Sequence, residues 1–327
     1  MIITKTPFRI SFLGGGTDFP EWYINNSGKT ISTSINKFSF IIVKRLQNIF
    51  KYNFRLRYYE NERCKNLNQI KHITIKNVLK INKINNIDLI TYNDLVAMSG
   101  IGSSSAFTVG LLQAVSQLNN KNIKKYDLAL KSINVERNLN KEPVGCQDQF
   151  ACSFGGFNSI SYSKKKIEVN NLNNFHKNLD VIDQSTLFLY TNMHRNSATP
   201  SQKLISRIKE GKNFENLKKI KDLADIGERT IKSKKFDNKI FGEILNESWE
   251  HKKRCSNKIS NNTIEFITNS ASRNGAYASK VIGAGGGGFM IIYAEKKYHK
   301  NIKKNLNQFK FIDINFTKEG SKIILKS

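Results

Sequence analysis

Apolar and polar positions follow two different periods along the chain. In the first 60 residues, "TISTSI" and "SFIIVKRL" hold β-branched and apolar residues at strand length, and "FRLRYY" alternates, so this part reads as β-rich. From about Leu67 to Lys83 the pattern is that of a charged helix, and "IDLITYND" then predicts a strand leading into a serine-rich loop. Phe107, Leu111, Leu112, Val115 and Leu118 fall at helical spacing across Ser104 to Leu118. A second helix is predicted from about Lys125 to Leu139, a turn and strand in "FGGFNSISYS", and another strand in "DVIDQSTLFLYTN". Charged helical segments fill about Ser201 to Ser233 and Lys239 to Lys258. "IEFITNSASRNGAYASKVIG" reads as helical, followed by glycines and the strand "FMIIYA". Strands and helices mix without a regular strand–helix–strand rhythm, so an α+β fold is expected rather than a doubly wound sheet.

Three clusters of small residues interrupt this pattern: "FLGGGTD" (Phe12 to Asp18), "GIGSSSAF" (Gly100 to Phe107) and "GAGGGGF" (Gly283 to Phe289). Glycine is costly inside ordered elements, so each cluster needs a reason. A turn is one. Close approach of the backbone to a phosphate is another, because exposed N–H groups at a helix start form an anion site with the helix dipole behind them. In the second cluster Gly100 and Gly102 allow a tight wrap, and Ser103, Ser104 and Ser105 add hydroxyls at the first helical turn. Any of these hydroxyls also suits a magnesium ion. Two familiar phosphate loops are excluded. "SGKT" at Ser27 to Thr30 has Tyr23 where a P-loop needs its first glycine, and "GIGSSS" lacks the third glycine of the dinucleotide fingerprint.

The segment "NVERNLNKEPVGCQDQFACSFGG" holds two acids, Glu136 near the end of a helix and Asp148 after the break "EPVG". Asp148 sits in a mostly uncharged stretch and is either an N-cap or a functional group. Polar caps outnumber catalytic acids in any fold, so the stretch by itself favours the cap. Glu136 by itself reads as a surface carboxylate.

The net charge of +27 would attract nucleic acid, anionic membranes or phosphorylated small molecules. The lysines are scattered among asparagine and isoleucine, as in "NLKKIKDL", so they read as solvated faces and no nucleic-acid partner is expected. Cys64, Cys146, Cys152 and Cys255 form no paired motif, which suggests reduced thiols. Lys5 and Arg9 interrupt the N-terminus before any apolar run could act as a signal, and no run approaches a span of ~20 residues, so a cytoplasmic protein without membrane contact is expected.

Taken in order, "TPFRISFLGGGTDF", "SGIGSSSAF", the acid pair with "VGCQDQF", and "VIGAGGGGFMIIY" resemble the GHMP small-molecule kinases. Each motif is weak alone, whereas the ordered set spans the chain. Within that superfamily the opening, the serine loop, the glycine-rich ending and "NESWEHKKRCSNKIS" (Asn246 to Ser260) look like the D-glycero-D-manno-heptose 7-phosphate kinases. The sequence departs from the family pattern at Val96, where a proline is usual, at Ile101 in place of leucine, and at Ser279, where a glycine usually precedes the lysine that is Lys280 here.

The resemblance implies a two-lobed α+β fold with the active site in the cleft between the lobes, here expected at residues 1–165 and 166–327. It implies that Gly100, Gly102, Ser103, Ser104 and Ser105 cradle ATP, and that Ser104 and Glu136 hold Mg2+. It makes Asp148 the base for the attacking hydroxyl and Arg9 its neighbour that stabilises the transferring phosphoryl. Thr17 and Asp18, with Gly15 and Gly16, match the sugar-binding turn. Gly285 and Gly286 belong to a loop expected close to the substrate. Arg195 and Ser197 are candidates for a distal phosphate on the sugar. The implied activity is ATP-dependent phosphorylation of the anomeric hydroxyl of a heptose 7-phosphate, for nucleotide-activated heptose and surface polysaccharide. A kinase for another sugar, fucose- or galactose-like, is the alternative among enzymes. A basic nucleic-acid-binding protein is the alternative from another class. Monomer and homodimer both stay open.

Overall fold

The computed structural model describes residues 1–96, 99–193 and 198–327. The chain begins with β1 (Ile2–Leu13), α1 (Pro20–Asn26), β2 (Gly28–Lys44), β3 (Phe54–Arg57) and β4 (Asn61–Cys64). It continues through α2 (Ile73–Ile81), β5 (Ile87–Asn93), α3 (Ser103–Leu118), α4 (Lys125–Ile133), α5 (Gln147–Phe154), β6 (Phe157–Tyr162) and β7 (Ile167–Asn171). Next come α6 (His176–Gln184), β8 (Thr186–Tyr190), α7 (Ala198–Lys209), α8 (Phe214–Lys232), α9 (Asn238–Cys255) and α10 (Asn262–Arg273). β9 (Ala276–Val281), β10 (Phe289–Ala294), α11 (His299–Asn305), β11 (Lys310–Phe311), β12 (Phe316–Thr317) and β13 (Lys322–Lys326) complete it.

Two sheets organise these elements, a large one of nine strands and a smaller one ordered β11-β8-β10-β9. The two predicted strands "TISTSI" and "SFIIVKRL" are one 17-residue strand, β2. One edge of β2 pairs with β1 along its length. Its other edge is shared, β6 taking Gly28–Thr33 and β5 taking Ser39–Lys44. The sheet therefore forks around β2, and α3 packs across β1 and β2. On β1, Phe8, Ile10 and Phe12 are fully buried, as the period of a strand requires for one face. Arg9 and Ser11 are carried on the opposite face. The β1–β2 register slips between Pro7 and Arg9 and again between Ser11 and Leu13. At the first slip the Arg9 N–H bonds the Ile101 carbonyl at 3.0 Å, so the strand is joined to the serine loop there. Such irregularities re-aim side chains.

The expected single helix through "IEFITNSASRNGAYASKVIG" is a helix followed by a strand. α10 stops at Arg273, and Ala276–Val281 pairs with the wholly buried β10. Small residues in "AYAS" fit either state, and pairing with β10 decides. The strand expected within "DVIDQSTLFLYTN" is β8, Thr186–Tyr190, and "DVIDQ" ahead of it closes α6. The expected division at residue 165 is not the division of the sheets. β7 pairs with β6, and the last two strands return to the first sheet, β12 on β2 and β13 on β1. The core is also continuous between the halves. Phe12 stacks on Phe157 at 5.5 Å and meets Phe241 of α9 at 6.2 Å, and Phe241 in turn packs on Tyr293 of β10.

Phe12 therefore links the two sheets through one aromatic cluster. Phe12→Ala is expected to cost about 3–5 kcal/mol, the usual range for a buried phenylalanine. The measurement is urea unfolding, with the midpoint lowered and the slope little changed. A midpoint equal to that of the unaltered protein would show that the halves are stabilised independently of this contact.

Candidate active site

A cleft of about 670 Å³ opens between the first sheet with its helices and the second half of the chain. Arg9 and Ser11 of β1 form its floor, together with the first turn of α5. The serine loop closes one side, and Lys252 of α9 and Gly283 lie on the other.

Arg9 is the centre of this floor. Its side chain is almost wholly buried, and it grips Asp148 with two bonds, Nε to Oδ1 at 2.7 Å and Nη2 to Oδ2 at 2.6 Å. Nη1 donates to the Gly100 carbonyl at 2.6 Å. One guanidinium thus fixes the acid and the serine loop relative to each other, using the planar fork that arginine presents to a carboxylate. Asp148 is the second residue of α5, yet it caps nothing. The helix has no side-chain cap bond, and the Asp148 carboxylate faces the cleft with 28% of its side chain exposed.

The serine loop feeds α3 through Gly102, whose φ of 72° is left-handed and unfavourable for any side chain. The helix start has no side-chain cap, and its first-turn residues lie along the cleft. A Cβ at Gly102 would meet Arg9 Cγ at 3.2 Å and Asp148 Oδ2 at 3.4 Å. This glycine therefore clears space for the acid pair as well as for a ligand at the helix end. Ser103, Ser104 and Ser105 all line the cleft.

Glu136 is no surface carboxylate. It lies in a π-type turn, Asn134–Leu139, that widens the end of α4, and it is fully buried beneath the serine loop. Its Oε2 accepts from Ser105 Oγ at 2.9 Å and from Gln149 Nε2 at 2.5 Å; Oε1 has no close hydrogen-bond partner among the described residues, and the Thr108 hydroxyl also bears on the carboxyl. Burial, with Glu142 nearby, pushes the carboxyl up to about 8. The hydroxyl joined to Glu136 is thus that of Ser105. Ser104, the residue expected beside it, is exposed at the helix start. A carboxylate oxygen left unpaired in a buried setting, beside a serine hydroxyl, suits a hard cation such as Mg2+.

On the sugar side of the expected site, Asp18 is buried and lines the cleft with Gly15 and Gly16. Its Oδ1 accepts from the Gly16 N–H at 3.0 Å and its Oδ2 from the Gln147 N–H at 3.2 Å. Burial raises its pKa, against the pull of those N–H donors. Gly145 is a glycine because a Cβ there would fall 1.9 Å from Asp18 Oδ2. Thr17 does not line the cleft. It is fully buried, and its hydroxyl donates to the Gly14 and Lys29 carbonyls and accepts from the Lys29 N–H, so it fastens the turn to β2. Gly285 and Gly286 are also displaced from their expected place. A Cβ at Gly285 would strike Ile259 backbone at 2.8 Å, and the Gly286 N–H bonds the Ile259 carbonyl. Gly283 and Ala284 are the residues of that loop that line the cleft. Arg195 and Ser197 lie outside the described residues.

Several cleft residues carried no individual signal in the sequence. Lys252 donates to the Gly15 carbonyl at 2.7 Å, and only folding brings α9 to that turn. Gln147, adjacent to Asp148, is 4% exposed and accepts from Ser11 Oγ at 3.1 Å. Tyr58, His72 and Phe107 form an aromatic end next to the serine loop, with His72 4.9 Å from Tyr58 and 5.1 Å from Phe107. Glu62 holds that wall in place, accepting from Tyr58 Oη at 2.6 Å and from the Lys71 N–H at 2.8 Å. Phe107 was legible only as part of an apolar helical stripe, and the others come from separate elements.

Models of the GHMP kinases match this chain in two places, the N-terminal domain at residues 68–156 and the C-terminal domain at residues 231–312. The D-glycero-alpha-D-manno-heptose 7-phosphate kinase of Campylobacter jejuni is 30% identical, covering 98% of each chain. A galactokinase of Pyrococcus furiosus is 24% identical over 92% of this chain and 91% of its own. The crystal structure of a D-glycero-D-manno-heptose 1-phosphate kinase from Bacteroides thetaiotaomicron superposes with a TM-score of 0.81 over the whole of both chains at 22% identity, a likeness of fold. Two domain matches in the expected order, and a relative aligned from end to end, place the chain in the GHMP kinase family, as an ATP-dependent kinase.

Proposed function

We propose that the protein transfers the γ-phosphoryl group of ATP to the anomeric hydroxyl of D-glycero-D-manno-heptose 7-phosphate. The product would be the 1,7-bisphosphate that nucleotide-activated heptose synthesis consumes. The observation that carries the reading is the Arg9–Asp148 pair at the foot of α3, a carboxylate fixed beside a helix start that suits a polyphosphate. The end-to-end similarity to a heptose 7-phosphate kinase supports this sugar over others.

In this reading the serine loop backbone, Gly100 to Ser105, receives the triphosphate, and the aromatic end of the cleft takes the base. Asp18 accepts hydroxyl protons of the sugar. Asp148 orients the attacking hydroxyl and takes its proton as the new O–P bond forms. The bond from the γ-phosphorus to the bridging oxygen breaks, and ADP leaves with that electron pair. Arg9 offsets charge on the transferring group, which in phosphoryl transfer is a larger task than removing the proton. Glu136 with Ser105 or Ser104 would hold magnesium, which supplies charge neutralisation at the phosphate oxygens. A sugar phosphate needs a cation apart from the one gripping Asp148, and Lys252 offers one beside the glycine turn.

A panel of heptose 7-phosphate, galactose and fucose, with ATP and magnesium and ADP formation as the readout, tests the substrate. The phosphorylated heptose should give the highest kcat/KM. Lys252→Met should raise its KM at least about tenfold, the scale of a hydrogen bond to a charged group. Preference for a neutral sugar, unaltered in Lys252→Met, would instead establish the alternative.

Asp148→Asn is expected to lower kcat by about 10²–10⁴-fold with the KM for ATP little changed. Near-normal turnover would remove Asp148 from the role of base.

Glu136→Gln should raise the magnesium concentration for half-maximal rate about tenfold, consistent with losing one charged ligand, and leave the KM for the sugar unaltered. An unmoved magnesium titration would place the cation elsewhere.

A further inference from the structure

We infer that Lys280 is a positioning residue of the sugar site, its amino group holding the end of β1 so that the glycine turn carrying Asp18 is set at the right height against the sugar. The inference rests on the reading of the cleft as a sugar-kinase site.

Lys280 is the second-last residue of β9, three positions before Gly283. Its side chain is buried, and Nζ donates to the Ser11 carbonyl at 3.2 Å and to the Phe12 carbonyl. Those carbonyls belong to the last three residues of β1, just before the turn Gly14–Asp18. The second register slip of β1 against β2 falls at the same place, between Ser11 and Leu13, so the ladder is interrupted where the amine takes over. A buried carbonyl pair without a donor would be costly, and the donor comes from the other half of the chain.

The choice of lysine is not explained by pairing with an acid. The charged groups that bear on it are Lys252 of α9 and Arg9 of β1, both cations, and burial together with these neighbours pushes the amine down to about 7. Desolvating an ammonium beside two like charges is expensive. A role confined to stability would be served more cheaply by an uncharged side chain. What lysine provides here is reach. It is a long stem from the second sheet ending in several donors, and it crosses to the first sheet beside the small cavity that Gly15, Lys252, Ser248 and Gly283 also line. Lys252 bonds the Gly15 carbonyl from the same side. The sugar turn is thus held from the second half at two heights, by Lys280 at its root and by Lys252 at its tip, and Lys280 also lies directly before the glycine-rich loop on the facing wall.

The test is steady-state kinetics of Lys280→Met in the full-length protein, varying the sugar and ATP separately. The expected result is a KM for the sugar raised about tenfold or more, with the KM for ATP within about twofold of normal. Lys280→Arg, which keeps the donors, should recover part of the loss. Amide hydrogen exchange should quicken in residues 11–18 of the Met variant and not in the serine loop. If the Met variant does not fold, Lys280→Gln, which retains an N–H donor without charge, serves in the same comparison. A folded variant with an unaltered KM for the sugar overturns the inference, as does an equal rise for sugar and ATP, which would denote general damage. Failure of the unaltered protein to phosphorylate any sugar is a different outcome. It would refute the proposed function and with it the basis of this role.

Discussion

The bidentate contact between Arg9 and Asp148 is the constraint on which the site depends. Arg9 reaches the cleft because it lies on the face of β1 opposite Phe8, Ile10 and Phe12, which anchor the strand in the core. Its third bond, to the Gly100 carbonyl, and its backbone bond to Ile101 draw the serine loop onto the same strand. Three segments far apart in sequence are therefore fixed by one buried guanidinium. Arginine suits this task because its charge persists when buried and its donors diverge in a plane. Gly102 is a consequence of the same packing, since the loop must pass within contact distance of that pair.

Around this pair the protein buries three further ionisable groups. Glu136 and Asp18 are both desolvated, and both have pKa values raised chiefly by burial. Lys280 is a buried amine with a lowered pKa. Each is held by specific donors or acceptors. Asp18 has two backbone N–H groups, Glu136 has Ser105 and Gln149, and Lys280 has two carbonyls. Sites organised this way trade stability for fixed geometry. That is the appropriate trade for phosphoryl transfer, where positioning and charge stabilisation supply most of the rate enhancement.

The cleft is open, but the halves that form it are not independent. Phe12, Phe157, Phe241 and Tyr293 make one aromatic cluster across the two sheets, and the final strands return to the first sheet. The floor and the far wall of the cleft are thus connected through a common core, and also directly through Lys280 and Lys252. Positions on α9 and β9 accordingly bear on a turn that lies in the first eighteen residues.

The sequence by itself determined the β-rich character of the first sixty residues, the helix after the serine loop and the order of the glycine clusters, because these are local patterns of period, size and turn chemistry. Through its ordered motifs it also pointed to the family, and to Arg9 and Asp148 as partners. Other features rest on contacts with no local signature. Asp148 looked like a cap, and Glu136 like a surface acid, because neither a helix start nor a charged helix reveals what packs above it. Thr17 adjoins Asp18 in sequence, yet the turn sends its hydroxyl to the backbone of β2 and leaves only the carboxylate facing the cleft. Small residues made "AYASKV" ambiguous until β10 lay beside it. Lys280 stood out in the sequence only as the lysine ahead of the glycine-rich motif, and Lys252 only as part of the segment Asn246 to Ser260, with no sign of what either amine reaches. Only the tertiary structure showed what they bind, because a lysine's role depends on which carbonyl its long stem reaches, and that is fixed by the packing of α9 and β9 against β1.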